Sequence, residues 1–169
     1  MKKIILILIC CVVCGGTIAQ SLGRMTLGCT RADIPSSLPN GFNICKTNTS
    51  NQLTYSTSKG DEYVSFYLNN NIVYKIVMHK YVGFSSNADN IESKLEELFM
   101  NLYEMWGEPS YTGENIYWNF PTSKATFSYT VSSKQTEMDP LRLSGTSGLT
   151  TFYTCYADIK LEKRTSLFE

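Results

Sequence analysis

Apolar residues recur with the period of a helix along one stretch and with the period of a strand along six others. Between residues 89 and 109 they fall at Ile91, Leu95, Leu98, Phe99, Leu102, Tyr103 and Trp106. That spacing places them on one stripe of a 3.6-residue helix. Lys94, Glu96, Glu97, Asn101 and Glu104 occupy the opposite face. Asp89 followed three residues later by Glu92 predicts a capping box at the start. Gly107 is placed for a left-handed C′ residue, and Pro109 stops any continuation.

Strand periodicity governs the rest. Residues 53–58 alternate Leu53, Tyr55 and Thr57 with polar neighbours, and 62–68 put Val64, Phe66 and Leu68 opposite Tyr63, Ser65 and Tyr67. Residues 72–81 put Ile72, Tyr74, Ile76 and Met78 on one face. Asn69, Asn70 and Asn71 predict a hairpin loop, because Asn tolerates positive φ. A three-residue loop sets Leu68 against Ile72 and Phe66 against Tyr74, whereas a two-residue loop sets Phe66 against Lys75. Keeping apolar faces together therefore predicts three. Beyond the helix, 115–120 bury Ile116, Trp118 and Phe120, and 124–132 turn Ala125, Phe127, Tyr129 and Val131 inward. A polar loop is expected over 133–148, then a last strand over 149–163 with Tyr153, Cys155, Ala157, Ile159 and Leu161 inward. Residues 21–27 read as a short first strand. Thr30 or Asp33 is placed to cap a short helix that carries Pro35 and ends near Leu38.

The order is a helix then three strands, given twice. It predicts an α+β domain over 20–163 with two αβββ halves, about 25–82 and 87–163, and a frayed tail over 164–169. Strands with one apolar face form an antiparallel sheet, and the helices are expected to pack on that face.

This layout carries a resemblance. The Leu27-Gly28-x-Thr30 entry to a short helix, followed by a meander and a second helix and meander, resembles the beta-lactamase inhibitory protein. It is also similar to small lipoproteins that assist outer-membrane barrel assembly. With Tyr103-x-x-Trp106-Gly107-x-Pro109 closing the second helix, the pattern resembles uncharacterised exported proteins of Bacteroides-type bacteria. The resemblance implies a fold and a setting in the cell envelope. The cysteine positions depart from those of the inhibitory protein, and no functional residue carries over.

The first residues change the picture. Lys2 and Lys3, an apolar run over 4–13 and the small residues Thr17 and Ala19 read as a secretory signal over 1–19. Lipidation at Cys14 is the competing reading, which would leave an N-terminal lipid tether. No later segment is apolar enough to span a membrane, so no direct insertion is expected. The expected location is the periplasm or cell surface of a Gram-negative bacterium. Without the signal, 13 basic residues stand against 15 acidic ones, a balance with no electrostatic footprint for nucleic acid. Cys29, Cys45 and Cys155 then remain. In an oxidising compartment Cys29 and Cys45 make the expected disulfide, set against three unpaired thiols, with Cys155 an inward residue of the last strand. Asn48-Thr49-Ser50 is a glycosylation sequon that matters only in a eukaryotic secretory pathway.

No catalytic signature stands out. His79, the single histidine, falls on the face opposite Ile76 and Met78, with no nucleophile or carboxylate near it in sequence. Glu62, Glu108, Glu114 and Asp158 single out no pair for acid–base chemistry. Metal clusters and phosphate loops are missing from the pattern, so no cofactor is expected. The stronger signal is the second sheet face, where Tyr63, Tyr67, Tyr81, Tyr117, Phe152 and Tyr156 fall together with Val73, Val77, Lys124, Ser128, Asp158 and Lys160. Tyrosine gives rigid amphipathic contact area. The reading is a non-catalytic binding, inhibitory or assembly-assisting module with an envelope protein or glycan as partner. A small secreted hydrolase is the alternative, and ordinary cross-strand pairing is the competing account of the tyrosines.

Overall fold

The computed structural model describes residues 21–46, 48–112, 115–137 and 149–164. The signal segment, Cys14, Glu114 and the tail beyond Arg164 lie outside them. A small hairpin, β1 (Ser21–Leu22) and β2 (Met25–Thr26), comes first among the described residues. A 3-10 turn (Arg31–Asp33) leads into the one-turn helix α1 (Ile34–Ser37). Then come β3 (Asn43–Ile44), β4 (Gln52–Ser56), β5 (Tyr63–Asn69) and β6 (Ile72–Ser85). The long helix α2 (Ala88–Trp106) precedes β7 (Ser110–Thr112), β8 (Asn115–Asn119), β9 (Ser123–Glu137) and β10 (Leu149–Lys163).

Among the described residues eight strands form one antiparallel sheet in the order β3-β4-β5-β6-β10-β9-β8-β7. Two meanders therefore meet where β6 pairs with β10, and the class is α+β with the sheet dominant. Four strands follow each helix, because β3 and β7 add two- and three-residue edges to the three expected. Edges this short offer little backbone for unwanted pairing. Among the described residues no helix is long and apolar enough to cross a membrane.

The core lies between the sheet and α2. Val64, Phe66, Ile76, Trp118, Ala125, Phe127, Ala157, Ile159 and Leu161 are buried there, and the hairpin and α1 add Leu22, Met25, Leu27 and Ile34. Helix α2 buries Ile91, Leu102 and Trp106, with Leu95, Leu98, Phe99 and Met105 half-buried. Tyr103, expected inside, lies at the rim of the stripe and is exposed. Gly83 lets the helix start close on the sheet, since a Cβ there would sit 3.1 Å from Lys94 Nζ and 3.4 Å from Ile91 Cδ1.

Both helix ends are fixed by single residues. The N-cap is Asn87, whose Oδ1 accepts from Asp89 N–H at 2.9 Å, so the cap lies two residues before the expected Asp89. The capping box occurs instead at Thr30 and Asp33, ahead of the short helix. Gly107 holds φ 79° and donates to Tyr103 O, as its position in the sequence predicts. Trp118 Nε1 donates to Gly107 O at 2.8 Å and Trp106 Nε1 to Ser21 O at 3.1 Å, so the helix end is tied to β8 and to β1.

Register supplies three corrections. The β5–β6 loop has two residues, Asn70 and Asn71, both at positive φ, and Asn69 pairs with Ile72. A bulge at Tyr74 makes this possible: Tyr67 faces Lys75 while Leu68 faces Val73, and Phe66 still meets Ile76. The bulge also exchanges faces at the strand start, so Val73 is fully buried whereas Ile72 and Tyr74 are exposed. Further along, residues 133–137 continue β9 as strand where a loop was expected. Residues 138–148 lie outside the described residues. Finally, Arg164 is held by its N–H to Thr122 O and its guanidinium to Asn119 Oδ1, so it does not fray.

The expected disulfide is absent: Cys29, Cys45 and Cys155 are all free. Backbone pairing explains why. Cys29 O accepts from Val73 N–H on the β10 side of β6, whereas Cys45 N–H donates to Thr54 O of β4. Four strand spacings of about 4.8 Å separate two such positions, far beyond the roughly 7 Å that a disulfide spans. Cys155 is fully buried facing α2, as expected.

Candidate binding face

The sheet face away from α2 is built by strand parity from residues the core does not use. Cross-strand pairing lines up Ser56, Tyr63, His79, Asp158 and Ser128 in one row across five strands. Within that row His79 Nδ1 lies 2.7 Å from Asp158 Oδ1. The carboxylate fixes the imidazole plane and its proton-bearing nitrogen. Tyr63 stacks on one side of that ring at 4.8 Å and 15°, and Tyr156 on the other at 5.0 Å and 17°. Tyr81 leans on Tyr156 at 5.6 Å. Burial, and secondarily the Asp158 charge, push the Tyr63 phenol above its ordinary range.

Stacking has a chemical consequence. The inner ring faces cover one another, and side chains stand roughly perpendicular to a sheet. The Tyr63–His79–Tyr156 stack, with Tyr156 diagonal to His79, therefore presents the edges of three rings at about the spacing of the strands. His79 is about a quarter exposed and Asp158 about half, so both reach solvent. Beside them a cavity of about 140 Å³ opens where β5 stops and β6 runs on, lined by Phe42, Glu62, Met78 and His79 among others.

The remaining candidates share the face but not the row. Tyr67 touches Tyr74 at 6.5 Å and carries Lys75 Nζ over its ring at 4.5 Å. Tyr117 carries Lys124 Nζ at 4.9 Å and its hydroxyl meets Thr112. Phe152 stacks with Phe84 at 5.0 Å near the far end of the sheet. Tyr117 stands on β8, four strands from Tyr63. The six aromatic candidates thus resolve into a central cluster (Tyr63, Tyr81, Tyr156) and three outlying contacts.

The sequence places His79 and Asp158 on this face but does not show their contact, and it does not single out Phe84. His79 and Asp158 are direct partners on β6 and β10, and only the pairing of those distant strands reveals it. Among the described residues no cysteine serves His79: Cys155 lies on the core face, Cys45 bonds Ser56 Oγ on the edge strand pair, and Cys29 lies against Val73 at the start of β6. Among the described residues no group of three or more His, Cys, Asp or Glu could hold a metal. Comparison with known proteins finds no matching family model, no matching curated protein and no matching solved structure, which leaves the geometry to carry the functional reading.

Proposed function

We propose that the protein is an exported, non-catalytic binding module of a bacterial envelope that holds an envelope protein or glycan on its open sheet face. The observation that carries this reading is the Tyr63–His79–Tyr156 stack with its Asp158 brace. Orienting three aromatic rings before any ligand arrives lowers the ordering cost of binding. Half-exposed tyrosines contribute amphipathic contact, and the ring edges suit hydrogen-bonding partners. The two meanders are read here as two αβββ halves, α1 with β4–β6 and α2 with β8–β10, β3 and β7 being edge additions. A signal over 1–19 with cleavage before Gln20 is part of the same proposal.

The test compares the parent with a Tyr63→Ala/Tyr156→Ala variant, both exposed to envelope extract and to glycan arrays. Ligand retained by the parent and lost by a folded variant supports the reading. Equal retention by both sinks the central cluster as the contact site.

The His79–Asp158 contact favours one second reading, a small hydrolase in which the carboxylate orients His79 as general base. Turnover of ester, peptide or glycoside probes that vanishes in His79→Gln would establish it.

A further inference from the structure

Strand β9 continues well past its neighbour β8. The last β8 pair is Ile116 with Phe127, whereas β9 stays paired to β10 as far as Glu137. Among the described residues nothing pairs with the other side of β9 from Ser128 onward, and Ser128 through Thr136 are all exposed. The fifteen β9–β10 pairs run without a register shift, so no bulge twists this edge away. It carries no proline and one charge over 128–136, Lys134. The terminal strands β3 and β7 are protected by shortness, and this edge has no such protection.

We propose that β9 pairs antiparallel with β9 of a second copy of this chain, making a two-fold dimer with a continuous sheet. A second copy brings the same long, nearly uncharged edge, and two-fold symmetry then limits the register. Directly opposed residues share a face, so a two-fold axis along the sheet normal must pass midway between a residue and its own mate. An axis at Ser132 sets the partner's Glu137 beside Phe127, where Ile116 already sits. An axis at Lys134 sets two ammonium groups against each other, which is destabilising. An axis at Ser133 avoids both. It pairs Ser132 with Lys134, Val131 with Gln135 and Thr130 with Thr136, and no like charges meet. Val131 and Tyr129, 45% and 55% exposed in the monomer, gain cover from the partner strand. The free edge of β9 lies one strand beyond Tyr156 and uses none of the stacked rings, so neither proposal depends on the other.

Light scattering on the purified protein reads the mass, and two variants read the register. The parent is expected to be a dimer. Ser133→Lys, an exposed change, is expected to run as monomer at concentrations where the parent is dimeric, with unchanged circular dichroism. Under mild oxidation Ser133→Cys is expected to link two chains through the introduced thiols, because opposed Cβ atoms lie about 4.5–5.5 Å apart. Val131→Cys, opposite Gln135, is expected not to link. A monomeric parent overturns the proposal. A dimer that links no better through residue 133 than through residue 131 also overturns it, even if Ser133→Lys fails to fold.

Discussion

Among the described residues desolvation marks four side chains, each held above its ordinary ionisation. Burial raises Cys155, and burial together with the Asp33 charge raises Cys29. Burial also raises Tyr55, against an opposing pull from Arg31, and burial with the Asp158 charge raises Tyr63. The native state thus holds these protons more tightly than the unfolded chain does. Stability from this source is complete below the ordinary values, 9.0 for the thiols and 10.0 for the phenols, and is lost as pH rises above them. Urea midpoints are expected to fall as pH climbs beyond about 9. A midpoint that rose between pH 9 and 11 would contradict this assignment. At the same scale, single residues show how far the sequence could be read. Gly107 announced its role because positive φ at a helix end depends on local chain geometry alone. His79 did not, because its character depends on Asp158, a strand partner that no local pattern specifies.

At the scale of elements, the helix and the strand periods were legible, whereas the edges of the pattern were not. The stripe from Ile91 to Trp106 reads directly because a 3.6 period over nineteen residues has no competitor. The β5–β6 loop is shorter than pleat parity predicts because parity alone allows for no extra residue. Tyr74 is that residue, and with it the two-residue Asn70-Asn71 turn and the apolar register coexist. The bulge makes an unusual deletion tolerable. Removing Tyr74 leaves Leu68 against Val73, Tyr67 against Lys75 and Phe66 against Ile76, with no face exchanged. The expected cost is about 1 kcal/mol, from a lost ring contact at a surface site. Deleting Val77 shifts the strand by one residue and turns either Ile76 or Met78 away from the core, which is expected to abolish folding. Thermal melts of the two deletions decide it. Equal damage from both would sink the bulge assignment.

Across the whole molecule, the fold class and the tyrosine-bearing face were legible, and the disulfide and the extent of β9 were not. Cysteine spacing along the chain gave no view of the strands that separate Cys29 from Cys45. The polar run after Ser132 looked like loop because strand β9 leaves the core there and no longer needs to alternate, a loss of pattern that follows from exposure on both faces.

The seam between β6 and β10 also sets an order of events. Every other pair of neighbouring strands in the sheet is consecutive along the chain, whereas this one pairs Lys75 with Glu162 and Ser85 with Tyr153. Closing so wide a loop is entropically unfavourable until both hairpin systems exist to be joined. Refolding is therefore expected on the millisecond-to-second scale rather than in microseconds. Truncating Ile76 or Ile159 in the seam should slow refolding, while truncating Leu53 near the edge should mainly hasten unfolding. Stopped-flow chevrons of the three variants measure both arms. A molecule assembled this way keeps its slowest step, and its longest exposure of unpaired strand, at its own midline.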